Sequence, residues 1–129
     1  PGPLVDVEYA VQMLQAMHGH EHAALRTPRV HEALEQLARI GVVDADDAHV
    51  LTGSYDFMRQ LINGLRMLRG SALDLFVPAQ DSLDFVYLAR RMRYDGEDAA
   101  DQLAADIDRH TEAAKDFVTR RFGPEALPK

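Results

Sequence analysis

The sequence predicts an all-α fold, a helical bundle of about five helices with one long central helix. Three observations predict it. Apolar residues recur at spacings of three and four along nearly the whole chain, and no stretch alternates convincingly at period two. Glycine, proline and short polar side chains punctuate these stretches where helices would start and stop. Leu51, Met58 and Leu65 repeat every seven residues, with Leu61 and Leu68 filling intervening positions, which is the seam of a packed helical hairpin or bundle.

The first helix runs from Leu4 to about Met17. Leu4, Val7, Val11 and Leu14 share one face, and Glu8, Gln12 and Gln15 lie on another. Gly19 then interrupts a polar stretch from His18 to His22. Thr27 reads as an N-cap and Pro28 as a first-turn residue, so the second helix is expected to start there. Its buried stripe is Val30, Leu34, Leu37 and Ala38, and Gly41 ends it. Asp44 caps the longest helix, to about Leu68. Gly53 and Gly64 inside it each cost about 1 kcal/mol relative to alanine, and either marks a close helix contact or a bend. Residues 70–80 read as a loop. Asp81 or Ser82 caps a short fourth helix carrying Leu83, Val86, Tyr87 and Leu88, which stops near Tyr94, and Asp95-Gly96 makes the turn. The last helix carries Ala100, Leu103, Ile107, Ala114, Phe117 and Val118 and ends near Phe122-Gly123-Pro124. Residues 1–123 are expected to form a single helical bundle domain, and residues 124–129 a tail or linker.

A chain of 129 residues suits one hydrophobic core, and 47% apolar residues is ordinary for a globular protein. The formal charge of −7, from 14 basic and 21 acidic residues, argues against a general nucleic-acid binder, which needs a dominant positive field. No apolar run approaches the roughly 20 residues of a membrane span, and no basic-then-apolar secretory signal opens the chain. Without cysteine, neither a disulfide framework nor a thiolate metal site is possible, which fits a reducing cytoplasm. Pro1-Gly2-Pro3 leads straight into a helical pattern, so the chain reads as a piece of something longer.

Four constellations carry chemistry, each with a structural competitor. Asp6 and Glu8 open the first helix, where the dipole alone favours carboxylates by about 0.3–1 kcal/mol each. Their functional reading is that they face an adjoining catalytic domain and orient a metal, a base or a basic side chain. His18, His20 and His22 with Glu21 offer neutral imidazoles to zinc or nickel. Alternating loop residues rarely converge on one ion, however, and the spacing matches no structural zinc pattern, so no metal is expected there. Arg59, Arg66 and Arg69 share a face of the long helix and could hold phosphates or a carboxylate-rich partner, against the alternative of a solvated face pairing with local acids. The run Arg90-Arg91-Met92-Arg93 sits at a helix C-terminus, where the dipole accounts for cations. Asp106 and Asp108 diverge by about 200° on their helix and cannot jointly grip an ion. No nucleophile elbow, phosphate loop or dinucleotide-binding glycine pattern is present.

Leu4-Val5-Asp6-Val7-Glu8-Tyr9 with Gln12 resembles the Gly-Gly-Leu-Val-Asp-Ile-Glu-Phe-x-x-Gln segment of glutamine-synthetase adenylyltransferases. The likeness continues through His18-Gly19-His20, Ala24-Leu25-Arg26-Thr27, Glu32 to Leu37 and Gly41. It extends to Tyr55-Asp56-Phe57-Met58-Arg59, Leu65-Arg66-Met67-Leu68, Asp74-Leu75 to Pro78, and Leu88-Ala89-Arg90-Arg91-Met92. Pro3 stands where the family usually has a second glycine, and the loop from Arg69 to Asp74 differs from the commonest family version. The resemblance implies a helical domain behind a nucleotidyltransferase core that transfers an adenylyl group from ATP to a tyrosine of glutamine synthetase, or removes it by phosphorolysis. It implies partners in that core, in glutamine synthetase and in PII signal proteins. In the family a Gly-Ser-Asp turn with an Asp-x-Asp pair holds magnesium; no Gly-Ser-Asp occurs in this chain, and Asp106-Ile107-Asp108 lies mid-helix with its carboxylates diverging. ATP and Mg2+ are therefore expected in the parent enzyme only, no cofactor in this segment, and Asp6 and Glu8 near the parent's active site. The resulting expectation is a non-catalytic regulatory or substrate-docking domain. The alternative is a stand-alone helical metal-binding or protein-interaction module.

Overall fold

Asp44 starts the longest helix of the chain by physical necessity: its Oδ1 accepts from Asp47 N at 2.7 Å, satisfying an amide that has no partner within the helix. The computed structural model describes residues 3–69 and 77–123, with side chains described for residues 7–68 and 77–123. The helices are α1 (Pro3–His18), α2 (Val30–Arg39), α3 (Ala45–Arg69), α4 (Leu83–Arg91) and α5 (Ala99–Phe122), with a short 3-10 turn at Ala23–Leu25. No strand occurs among the described residues, so the fold is all-α. Two compact units form, one from residues 1–55 with 111–129 and one from residues 56–110. Residues 70–76, which open the expected loop, and the expected tail, 124–129, lie outside the described residues.

In the first unit the apolar stripe of α1 packs as its spacing requires: Val7, Ala10, Val11 and Leu14 are buried at steps of three and four. They join Leu34, Leu37 and Leu51 with Phe117 and Val118 of α5 in one core cluster. Burying each such leucine contributes about 1.5–3 kcal/mol. The side chain of Leu4, placed on the same stripe by its spacing, lies outside the described residues.

The start of α2 differs from expectation. Arg29, with extended backbone and no side-chain cap, precedes the first turn at Val30, two residues later than the Thr27-Pro28 pair suggests. Thr27 caps the loop instead: its Oγ1 accepts from Arg29 N at 3.2 Å and donates to Glu32 Oε2 at 2.9 Å. At its other end α2 closes as expected. Gly41 takes φ +81°, and Val42 N donates to Leu37 O at 3.0 Å across it.

In the second unit Phe57, Met58, Leu61 and Leu65 of α3, Phe85 and Leu88 of α4 and Leu103 of α5 are buried. Ser82, not Asp81, caps α4, accepting from Phe85 N at 3.2 Å. The buried face of α4 is Phe85, Leu88 and Ala89. Leu83 and Tyr87, expected on the apolar face, are 77% and 65% exposed, because they project more than a quarter turn away from it. Gly64 marks a close helix contact. A Cβ there would lie 2.8 Å from Leu88 Cδ1, whereas one on exposed Gly53 would meet nothing within 4 Å. The end of α4 repeats the closure of α2, with Tyr94 N donating to Ala89 O at 3.0 Å, but the residue in the left-handed region is Arg93, φ +73°.

A polar cluster closes the same unit. Tyr94 donates its hydroxyl to Asp106 Oδ2, and Arg109 donates to Asp106 Oδ1 at 3.2 Å. His110 stacks on Phe57 with ring centroids 4.4 Å apart. The bond from Tyr94, aided by Arg109, holds the Asp106 carboxyl below its ordinary range. Burial, then Arg109, holds the His110 imidazole low, while burial and the bond to Asp106 push the Tyr94 phenol up. The signs follow. The lowered groups contribute stability above their unfolded values, about 6.5 for histidine and about 3.9 for aspartate, and lose it as pH falls. The raised phenol contributes below about pH 10 and loses its contribution as pH rises. Thermal unfolding is therefore expected to show a midpoint that drops on both flanks. In a Tyr94→Phe variant the alkaline drop should shrink and the drop near pH 4 weaken. Identical pH profiles for the two proteins would refute this coupling.

Candidate functional site

Helical spacing places Glu8, Gln12 and Gln15 on one face of α1, four and then three residues apart. In the first unit that face forms one wall of a cleft of about 290 Å3. Thr27, Pro28 and Arg29 of the loop before α2 form the opposite wall, and Tyr55 of α3 contributes a phenol. The loop is held where it is by α1. Gln15 Nε2 donates to Leu25 O at 2.6 Å and to Thr27 O at 2.8 Å, using both hydrogens of one amide. Arg26 Nε donates to Gly19 O at 3.0 Å. Gly19 itself admits no side chain, since a Cβ would sit 2.5 Å from Gln15 O.

Glu8 is half-buried on this cleft and forms no ion pair among the described residues. Arg29, across the cleft, is already paired with Glu32 at 3.2 Å. The cleft thus presents a carboxylate and a carboxamide, from Glu8 and Gln12, between walls fixed by main-chain hydrogen bonds. Such a surface accepts a cationic or hydrogen-bond-donating group from elsewhere. The side chain of Asp6, the other acid of the opening motif, lies outside the described residues.

The histidine run does not converge. His18 ends α1 with a buried Nε2 that has no hydrogen-bond partner among the described residues, His20 is exposed, and His22 precedes the 3-10 turn without capping it by its side chain. Among the described residues no group of three or more histidines or carboxylates is placed to hold a metal ion. The magnesium implied by the resemblance therefore finds no fitting donor set among them, and no chemical step of this chain is routed through it.

Arg59 and Arg66 belong to the second unit, both exposed on α3, and the side chain of Arg69 lies outside the described residues. Periodicity places Glu8, Gln12 and Gln15 on a shared face, but it does not reveal Arg29 and Tyr55 as their neighbours. Arg29 and Tyr55 come from other elements and need the fold.

The family model described as GlnD PII-uridylyltransferase matches residues 1–122. Curated relatives named bifunctional glutamine synthetase adenylyltransferase/adenylyl-removing enzyme include one from Nocardia farcinica, 38% identical over 124 residues, covering 94% of this chain and 12% of that protein. One from Mycobacterium avium is 38% identical over 109 residues, covering 82% and 11%. One from Corynebacterium efficiens is 36% identical over 95 residues, covering 74% and 9%. The chain thus spans about a tenth of the length of these relatives. No solved structure matches it significantly. No helix among the described residues is long and apolar enough to cross a membrane.

Proposed function

This chain belongs to the GlnD PII-uridylyltransferase family, and from that premise we propose that it is the non-catalytic helical docking domain of a glutamine synthetase adenylyltransferase. In this reading the reactive groups, the ATP and the Mg2+ belong to a nucleotidyltransferase core elsewhere in the parent, which works in the cytoplasm. The chain orients that core and presents it to glutamine synthetase, under control of a PII signal protein. The observation that carries the reading is the placement of Glu8. A carboxylate with no ion-pair partner among the described residues stands on an open, rigidly walled cleft, at the position where the resembling motif has its glutamate.

Glu8, with Asp6 two residues before it in the sequence, would accept a hydrogen bond from a basic or metal-binding side chain of the core and fix its orientation. In the parent enzyme, Glu8→Gln is expected to slow adenylyl transfer to glutamine synthetase about tenfold, with Glu8→Asp recovering part of it. Transfer is read as labelled adenylyl group appearing on glutamine synthetase, and folding is checked by circular dichroism of the same preparations. Full activity in Glu8→Gln, or failure of the parent to modify glutamine synthetase at all, would overturn the proposal.

A further inference from the structure

A second cleft, of about 350 Å3, lies wholly within the second unit, between the C-terminal half of α3 and the end of α4. Gln60, Asn63 and Met67 line it from α3, and Arg91, Met92 and Arg93 from α4 and its closing turn. Gly64, where the two helices touch, is its floor. Arg59 and Arg66 are exposed on α3 but do not line the cleft.

Three features point to the occupant. The first is charge. In a chain with 21 acidic and 14 basic residues, Arg29, Arg109 and Arg120 each pair with a carboxylate, while Arg91 and Arg93, which line the cleft, form no ion pair among the described residues. The second is backbone. Arg93 occupies the left-handed position that glycine fills at the end of α2, a conformation costing about 1 kcal/mol or more for a residue with a Cβ. The third is exposure. Leu83 and Tyr87 are 77% and 65% exposed and stand eight and four residues before Arg91 on one face of α4, while Met67 on α3 is 65% exposed.

A small ligand needs a pocket that encloses most of its surface. Here the rim side chains stand in solvent, and an apolar stripe continues from the cleft along α4. That shape suits an extended chain. The guanidinium groups match carboxylates, the two carboxamides match main-chain groups, and methionines accept varied apolar side chains. We propose that this cleft docks an acidic peptide segment of a partner protein, with carboxylates on Arg91 and Arg93 and apolar residues along Tyr87 and Leu83.

The 129-residue chain alone tests this, so the outcome is separate from that of the adenylyl-transfer experiment. The probe is a fluorescein-labelled heptapeptide in which Glu or Asp alternates with Leu or Phe, followed by anisotropy. Binding is expected on the order of 10 μM and should weaken as salt rises. Arg91→Ala with Arg93→Ala should weaken it about tenfold or more. Arg93→Gly is the sharper variant. It relieves the left-handed strain and so keeps or raises thermal stability, yet it removes a guanidinium and should weaken binding about threefold or more. No binding, equal binding of a peptide with Lys in place of the acids, or binding indifferent to both variants would overturn the proposal. So would binding of inorganic phosphate or ATP with none of the peptide, or light scattering that reveals a dimer broken by the arginine substitutions.

Discussion

Leu88→Ala is expected to lower the free energy of unfolding by about 2–5 kcal/mol, the usual cost of emptying a leucine site in a packed core. Leu88 is 1% exposed, and its Cδ1 fills the space that a Cβ on Gly64 would need, at 2.8 Å. That contact makes the two positions interdependent. Gly64→Ala by itself gains helix propensity, about 1 kcal/mol, but forces a buried leucine to move. In the double variant the new methyl group enters the space that Leu88 vacated. The combined loss, from urea unfolding of all four proteins, should be smaller than the sum of the single losses by about 0.5–3 kcal/mol. Strict additivity would mean that the approach of α3 to α4 is not governed by this pair. The test also bears on the arginine cleft, because Gly64 is its floor and Met92 lies 3.8 Å from the same Cβ position.

Much of the fold was legible because its determinants are local. Asp44 and Ser82 cap helices with short oxygen acceptors, and Gly41 and Gly123 end them at positive φ, +81° and +91°. Periodicity likewise picked out the buried stripe of α1 and the seam of α3. What was hidden depends on partners distant in sequence. Thr27-Pro28 carries the local signature of a helix start, but the bond from Thr27 to Glu32 uses the hydroxyl to shape the loop, and α2 begins at Val30. Tyr87 and Leu83 look like core residues on a helix so short that two apolar stripes compete, and packing selects Phe85 and Leu88. Arg93 gave no sign of its left-handed backbone, since glycine is the usual marker of that conformation. The candidate cleft was half legible: the motif flagged Glu8 and Gln12, whereas its far wall is tertiary.

That far wall is tied to α1 by two hydrogen bonds from the Gln15 side chain, and Gln15→Leu should show their weight. Leucine keeps nearly the volume of glutamine but leaves the carbonyls of Leu25 and Thr27, bonded at 2.6 and 2.8 Å, without their donor. Each lost bond in this partly buried setting costs about 1–1.5 kcal/mol, so stability should fall by about 2–3 kcal/mol, read as a lower midpoint in urea or heat. The damage should be local before it is global. Amide hydrogen exchange ought to accelerate at Leu25, Arg26 and Thr27, whose backbone hydrogen bonds close the 3-10 turn, more than along α2. Gln15→Glu separates the lost bonds from simple packing. It keeps the length of the side chain but sets a carboxylate against two carbonyl oxygens, and above about pH 5 it should be the more damaging of the two. If the loop stayed protected in both variants, Arg26 and Gly19 would suffice to hold it, and the rigidity of the wall facing Glu8 would have another source.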